Sequence, residues 1–325
     1  MFPGRVDQVD WRRAVELASR APSVHNTQPW QFVVHHDTVD VIADRDRALP
    51  ALDPTGRQRV LSCGAALEHL RLGLLAQQHS AVIETFPDPD SPDLLARVGI
   101  GAPATPDDVD AELIRAIPLR AMVRDAFAPD PIPADLVDLL TRDVTIDNVW
   151  AHAVTRPEDT IALMVLLQHA DEAQQSDPAY LEELRLWRRD HPAPDGIPDA
   201  AVPSTTGRHA GYVQRDFDGD VGGDPPENPV DEKPLIVIVG TPNDSELDWL
   251  NAGRRLARLL LRAAGLGIVA SPLNQVIDDP GPRQQLRSQL GMIGWPQMVL
   301  RMGYGQATPS TGRRSTEEIL RTDPS

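Results

Sequence analysis

Five side chains with directional hydrogen-bonding groups, Ser23, His25, Asn26, Thr27 and Gln28, fall within six positions of one another. They sit in the stretch Ala21-Pro22-Ser23-Val24-His25-Asn26-Thr27-Gln28-Pro29-Trp30-Gln31-Phe32, between an apolar-periodic helix and an apolar strand. A helix-to-strand loop of this kind presents side-chain and backbone donors to a ligand, and its two prolines stiffen it. It carries no Lys or Arg. The chemistry that follows is recognition of a planar, amide-rich ligand rather than of a bare phosphate. The bland alternative is that Asn26, Thr27 and Pro29 only close a turn.

The elements needed to hold this loop are readable around it. Val9 to Arg20 has the periodicity of a helix, with Asp10 as N-cap. Phe32 to Val34 and Thr38 to Ala43 form a hairpin turning at Asp37-Thr38. Arg57 to Gln78 is a long core helix, Ser80 to Phe86 a strand, and Pro87 to Pro92 a surface turn. Helices follow at 134–142 and 160–175, strands at 149–154 and 235–240, a second long helix at 246–265, and strands at 266–270 and 298–302. Residues 176–231, rich in Pro, Gly, Asp and Arg, read as one long structureless insertion, which in a compact protein tends to be a lid or a binding loop.

Composition excludes several function classes. A net charge of -17 argues against nucleic acid or an anionic membrane as partner. Arg dominates the cations, with Lys233 the only lysine, and the usage of Ala, Asp and Pro suggests a GC-rich genome. Cys63 is the single cysteine, so an intramolecular disulfide and a cysteine metal site are both out of reach, and the histidines show no metal spacing. His35-His36, beside the hairpin turn, reads as solvated. No apolar run approaches a bilayer span and the N-terminus lacks a secretory pattern, so a soluble cytoplasmic protein is expected. The nucleotide fingerprint and the nucleophile elbow are absent.

The two long helices align without a gap, pairing Leu61 with Leu250, Gly64 with Gly253, Leu67 with Leu256, Leu70 with Leu259 and Leu72 with Leu261. Glycine in mid-helix costs about 1 kcal/mol relative to alanine, so a shared one marks close backbone approach. Ala14 to Arg20 also echoes Leu136 to Arg142. The order helix, strand, central helix, strand occurs twice, which predicts an internal duplication.

The loop closely resembles the A-P-S-x-x-N-x-Q-P-W-x-F signature of the FMN-dependent nitroreductases. Arg120-Ala121-Met122-Val123-Arg124 and the ending that contains Arg313-Arg314 are similar to the two basic segments that hold the FMN phosphate in that family, with Met122 where ordinary members carry Ser. Nitroreductases are homodimers with FMN at the subunit interface. Here the first half keeps the loop and the second keeps the arginines, so the resemblance extends to the Acg-like branch, actinobacterial single-chain proteins with a duplicated fold and an inserted lid.

That resemblance implies an α+β, nitroreductase-like pseudo-dimer with central antiparallel or mixed sheets, long core helices and a lid near 176–231. Its halves would be 1–110 and 111–325, monomeric, with one FMN per chain. Ser23, Asn26 and Gln28 would face the ring and ribityl chain, with His25 either facing the ring or serving only as a loop histidine; Arg120, Arg124 and one or both of Arg313 and Arg314 would hold the phosphate, with Met122 in place of a serine contact. Ser271, Pro272, Leu273 and Asn274 match in position the segment whose backbone N–H reaches flavin N5; Pro272 cannot donate, leaving Leu273 or Asn274. The implied activity carries electrons from NAD(P)H to a small acceptor. The alternative is FMN storage without turnover, in which Trp187, Tyr212 or Phe217 of the insertion shuts the pocket.

Overall fold

The computed structural model describes residues 9–144, 148–199, 208–209, 211–213, 215, 231–305 and 311–322. Helix α1 (Trp11–Ala18) starts where Asp10 accepts a hydrogen bond from the Arg13 N–H, and it buries Ala14, Val15 and Ala18. Strands β1 (Trp30–Val34) and β2 (Thr38–Ala43) form the expected hairpin. Helix α2 (Arg57–Leu75) is buried along nearly its whole surface, its polar Arg57, Gln58, Ser62, Glu68 and His69 included. Strands β3 (His79–Thr85) and β4 (Leu94–Pro103) complete an antiparallel sheet. β4 is absent from the sequence reading, because its alternation lies just beyond the Pro/Asp-rich turn.

After α3 (Asp108–Ala116) the pattern repeats. Helix α4 (Ala134–Val144) leads to β5 (Trp150–Val154), then β6 (Leu235–Thr241), α7 (Glu246–Gly265), β7 (Ile268–Pro272) and β8 (Trp295–Tyr304). The first sheet runs β1-β2-β4-β3 and the second β5-β6-β8-β7, every neighbouring pair antiparallel. Both carry a register shift at the same place, between Val41 and Ile42 in β2 and between Val239 and Gly240 in β6. This shared topology is the duplication. The second half then returns to the first: β9 (Leu320–Thr322) pairs in parallel with β1, with Phe32 opposite Leu320.

Helices α2 and α7 cross at the two glycines. A Cβ on Gly64 would lie 2.1 Å from the Leu250 carbonyl oxygen, and one on Gly253 would lie 1.9 Å from that of Leu61. Gly64 meets the counterpart of Leu61, and Gly253 meets Leu61 itself, the reciprocal contact that a two-fold axis produces.

The described part of the insertion begins earlier and contains more helix than its composition suggests. It occupies the β5–β6 connection, the counterpart of the short β1–β2 turn. It opens with α5 (Pro157–Gln175), the helix expected at 160–175, and continues with α6 (Pro178–Trp187), which lies in the stretch that reads as structureless. Asp177 caps α6, Pro178 occupies its first turn, and Tyr180 and Leu184 bury one face against Leu49, Leu52 and Ile197. The Glu183 carboxylate accepts from the Ala51 and Leu52 N–H groups, both at 2.9 Å, and ties the helix to the first half. Helices α8 (Gln275–Asp278) and α9 (Pro280–Gln289) lie between β7 and β8, and α10 (Thr316–Ile319) precedes β9. Among the described residues no helix is long and apolar enough to cross a membrane.

Candidate functional site

Both halves wall a cavity of about 1080 Å³. The first half contributes the loop after α1 and the α2 residues Gln58, Leu61 and Ser62; the second contributes 117–122, Arg124, Leu256, Leu260 and the end of β7. Of the expected site residues, Ser23, His25, Asn26, Arg120, Met122, Arg124, Ser271, Pro272, Asn274 and Arg313 line it. Gln28, Leu273 and Arg314 do not.

Each exception has a local cause. Gln28 is fully buried: its Nε2 donates to the Pro194 carbonyl at 2.8 Å, and its Oε1 accepts from the Arg314 N–H at 2.8 Å. The Leu273 N–H already donates to the Val299 carbonyl at 2.9 Å, so of the two backbone donors Asn274 is the one at the wall. Arg314 turns behind the loop, its Nη1 donating to the Gln28 and Trp30 carbonyls. Asn26 reaches the wall, but its amide is largely occupied. Nδ2 donates to the Gly196 and Gly312 carbonyls, both at 3.2 Å, and Oδ1 accepts from Arg313 at 3.1 Å. His25, Asn26 and Gln28 all have positive φ, 47°, 52° and 49°. Three non-glycine residues in that region within four positions cost of order 1–3 kcal/mol each, a cost that clusters at ligand sites.

Arg120, Met122 and Arg124 alternate along an extended segment that Met122 joins to β7 by a parallel bridge to Ala270. Residues two apart on extended chain face one side, and four residues span roughly 13 Å. The two arginines therefore belong to different ends of the cavity. The Arg120 and Arg313 guanidiniums both donate to the Arg20 carbonyl, at 3.3 and 3.5 Å. No carboxylate pairs with either among the described residues, and the buried Nε of each has no hydrogen-bond partner. Burial, together with the neighbouring Arg313, lowers Arg120 to about 9; burial, with Arg20, lowers Arg313 to about 10. At the other end burial, with Arg215, lowers Arg124 to about 10. His25 is pushed well below the usual imidazole range by burial, then by Arg215 and Arg124, so it is neutral at pH 7.

Arg20 and Arg215 are absent from the sequence reading. Arg20 could have been found beside the signature, whereas nothing in the spacing points to Arg215, which arrives from the insertion. Among the described residues the insertion's wall is Gly196, Ile197, Pro198 and Arg215, with no aromatic ring among them. Trp187 lies between Arg47 and Arg189, 5.8 and 5.7 Å from its ring, and Tyr212 packs with Leu163 and Leu166 on α5. Phe217 falls outside the described residues. His36 is exposed, but His35 pairs with Asp40 at 3.1 Å. No cluster able to hold a metal occurs among the described residues.

His69, buried on α2, spends Nδ1 on the Ala65 carbonyl at 2.9 Å and leaves Nε2 without a partner. Burial, ahead of the nearby Arg120 and Arg313 charges, lowers it to about 4. The unfolded chain binds this proton below pH 6.5 and the folded chain does not. Stability from His69 is therefore present above pH 6.5 and is lost as pH falls toward 4, about 3 kcal/mol in all. Asp53, raised to about 6 by burial, titrates with the opposite sign. The expected result is that the stability difference between wild type and His69→Gln, measured by urea unfolding, shifts in favour of the variant between pH 7 and pH 4.5. A difference independent of pH would contradict the assignment.

No protein-family model matches the chain. It is 31% identical over 317 residues to a Mycobacterium tuberculosis H37Rv protein provisionally named NAD(P)H nitroreductase Rv3131, covering 95% of this chain and 90% of the relative. It is 30% identical over 321 residues to the M. tuberculosis protein provisionally named NAD(P)H nitroreductase acg, covering 95% and 94%. Among solved structures, an FMN-bound nitroreductase of Bacteroides fragilis aligns over 63% of this chain and 95% of its own, with 19% identity and TM-score 0.40. NfnB of Mycobacterium smegmatis, in complex with NADPH, aligns over 63% and 96%, with 17% identity and TM-score 0.39. With near-full-length relatives at this identity, the chain belongs to the Acg-like branch of the nitroreductase superfamily.

Proposed function

We infer that the cavity binds one FMN per chain and that the protein is a nitroreductase-like oxidoreductase. The observation that carries this is the Arg120/Arg313 pair: two adjacent guanidiniums without a carboxylate partner among the described residues, in a chain of net charge -17. Such a pair is stabilised by a ligand that brings negative charge, and the planar fork of each guanidinium suits phosphate oxygens. Ser23 keeps a hydroxyl proton to donate, because its Oγ accepts from the Gln28 N–H at 2.9 Å. Arg124, Ser271 and Asn274 supply polar groups at the far end. When bound, FMN supplies two-electron transfer between a nicotinamide donor and a small acceptor. The chain's part is to hold the phosphate, orient the ring and exclude water with residues 196–198. Neutral His25 is not a cationic acid in this scheme. Since both halves build one cavity, residues 1–110 and 111–325 act as the two subunits of a dimer, and a monomer is expected in solution.

A second reading, FMN storage without turnover, is favoured by one observation: the insertion takes hydrogen bonds from Asn26 and Gln28, two of the loop amides. The visible spectrum of the purified protein separates the two. For the oxidoreductase, the spectrum of bound flavin bleaches when NADPH is added without oxygen. For storage, it bleaches with dithionite only. A colourless protein that takes up no added FMN would rule out both.

A further inference from the structure

Among the described residues Arg215 is the one cation that the insertion sends into the cavity, and the fold invests several contacts in holding it. Its Nη2 donates to Asp278 at 2.6 Å, and its Nη1 lies 3.3 Å from both the Tyr180 hydroxyl and His25 Nε2. Its side chain is 10% exposed and that of Asp278 2%. Asp278 is shared, since Arg57 approaches it at 3.5 Å and Gln58 donates to it at 2.7 Å. Arg124 also lines the cavity, close enough for the Arg215 charge to act on it. The cavity thus has two cationic ends, Arg120 with Arg313 and Arg124 with Arg215.

In a flavin mononucleotide the phosphate and the ring are at opposite ends. Anchoring the phosphate at Arg120 and Arg313 therefore sends the ring toward Arg215. We propose that Arg215 is a positioning residue for the redox chemistry: it holds positive potential at the ring end of the cavity and favours the reduced cofactor over the oxidised one. This rests on the flavin reading above. Reduction adds two electrons and one proton to the oxidised ring and leaves one negative charge on its pyrimidine side; a fixed cation there stabilises the product more than the reactant. Asp278 opposes the effect, since it neutralises part of the Arg215 charge.

The test is the midpoint potential of FMN bound to the full chain, by dithionite titration against indicator dyes, with the sulfite affinity of the bound flavin as a second readout. Arg215→Gln is expected to weaken the preference for reduced flavin about tenfold, about 30 mV for a two-electron couple, and to weaken sulfite binding in parallel. Arg215→Lys should stay near wild type. Asp278→Asn should shift the potential the other way, upward, whereas loss of a merely structural contact would not reverse the sign. If flavin binds but neither Arg215→Gln nor Asp278→Asn moves the potential, or both lower it, the Arg215 assignment is wrong and the flavin reading stands. If wild-type protein takes up no FMN, both are wrong.

Discussion

The double variant Arg120→Ala/Arg313→Ala is expected to lose FMN binding by about 150- to 25,000-fold, from two charge-assisted contacts each contributing roughly 1.5–3 kcal/mol. The same variant should be no less stable than wild type without ligand, and more stable at low ionic strength. The reason is that the two guanidiniums share the Arg20 carbonyl with no carboxylate between them among the described residues, so the two positive charges repel each other in the ligand-free site. Riboflavin, which lacks the phosphate, is the control: wild type should prefer FMN strongly, and the variant should bind the two alike. Arg124→Ala should leave most of that preference in place, because Arg124 lies with Arg215 at the other end. Fluorescence titration with both flavins measures all of this. An FMN preference that survives in the double variant, or vanishes in Arg124→Ala alone, would move the phosphate away from Arg120 and Arg313.

The contrast between Arg120 and Arg124 shows where sequence reasoning ran out. Both were legible as cavity cations, because both belong to a short basic segment that resembles a known motif. Their assignment to one phosphate was not, since that depends on chain direction: an extended segment pinned to β7 separates residues four apart. Gln28 failed for a related reason. Its type suits a ligand contact, but the Pro194 carbonyl that takes its amide lies 166 positions away in an insertion whose path local pattern does not specify. Elements with strong local signals were legible. Helix α7 was read with its observed ends, Glu246 and Gly265, and Asp10 was read as a cap. Helix α6 is hidden in the sequence because its N-cap Asp177 and first-turn Pro178 also begin a Pro-rich tract, and composition averaged over 56 positions, 176–231, conceals a helix of 10 residues. The glycine pair carried the most structure per residue: it placed the central helix crossing before any contact was visible.

That crossing makes the largest stability prediction. On an open helix surface Gly→Ala gains about 1 kcal/mol from helix propensity alone. At Gly253 the sign should reverse, because the added methyl would lie 1.9 Å from the Leu61 carbonyl oxygen, and that contact is with backbone that cannot rotate away. A loss of about 3 kcal/mol or more is expected for Gly253→Ala, and a comparable one for Gly64→Ala. Gly265→Ala, at the end of the same helix, is the internal control. Its methyl would find only Ala116 Cβ at 3.9 Å, so it should be neutral or stabilising. Because Gly64 and Gly253 meet across one contact, at 3.1 Å from the added Cβ to the facing Cα, the double variant should cost less than the sum of the two singles: once the helices are pushed apart, the second methyl meets less resistance. The same displacement reaches the cavity. Leu61 and Ser62 from α2 and Leu256 and Leu260 from α7 line it within two turns of the crossing, so flavin uptake should fall with stability in both singles. Thermal unfolding with and without FMN reads both quantities. Additive losses, or a Gly253→Ala protein as stable as wild type, would mean that the crossing is looser than its two glycines indicate.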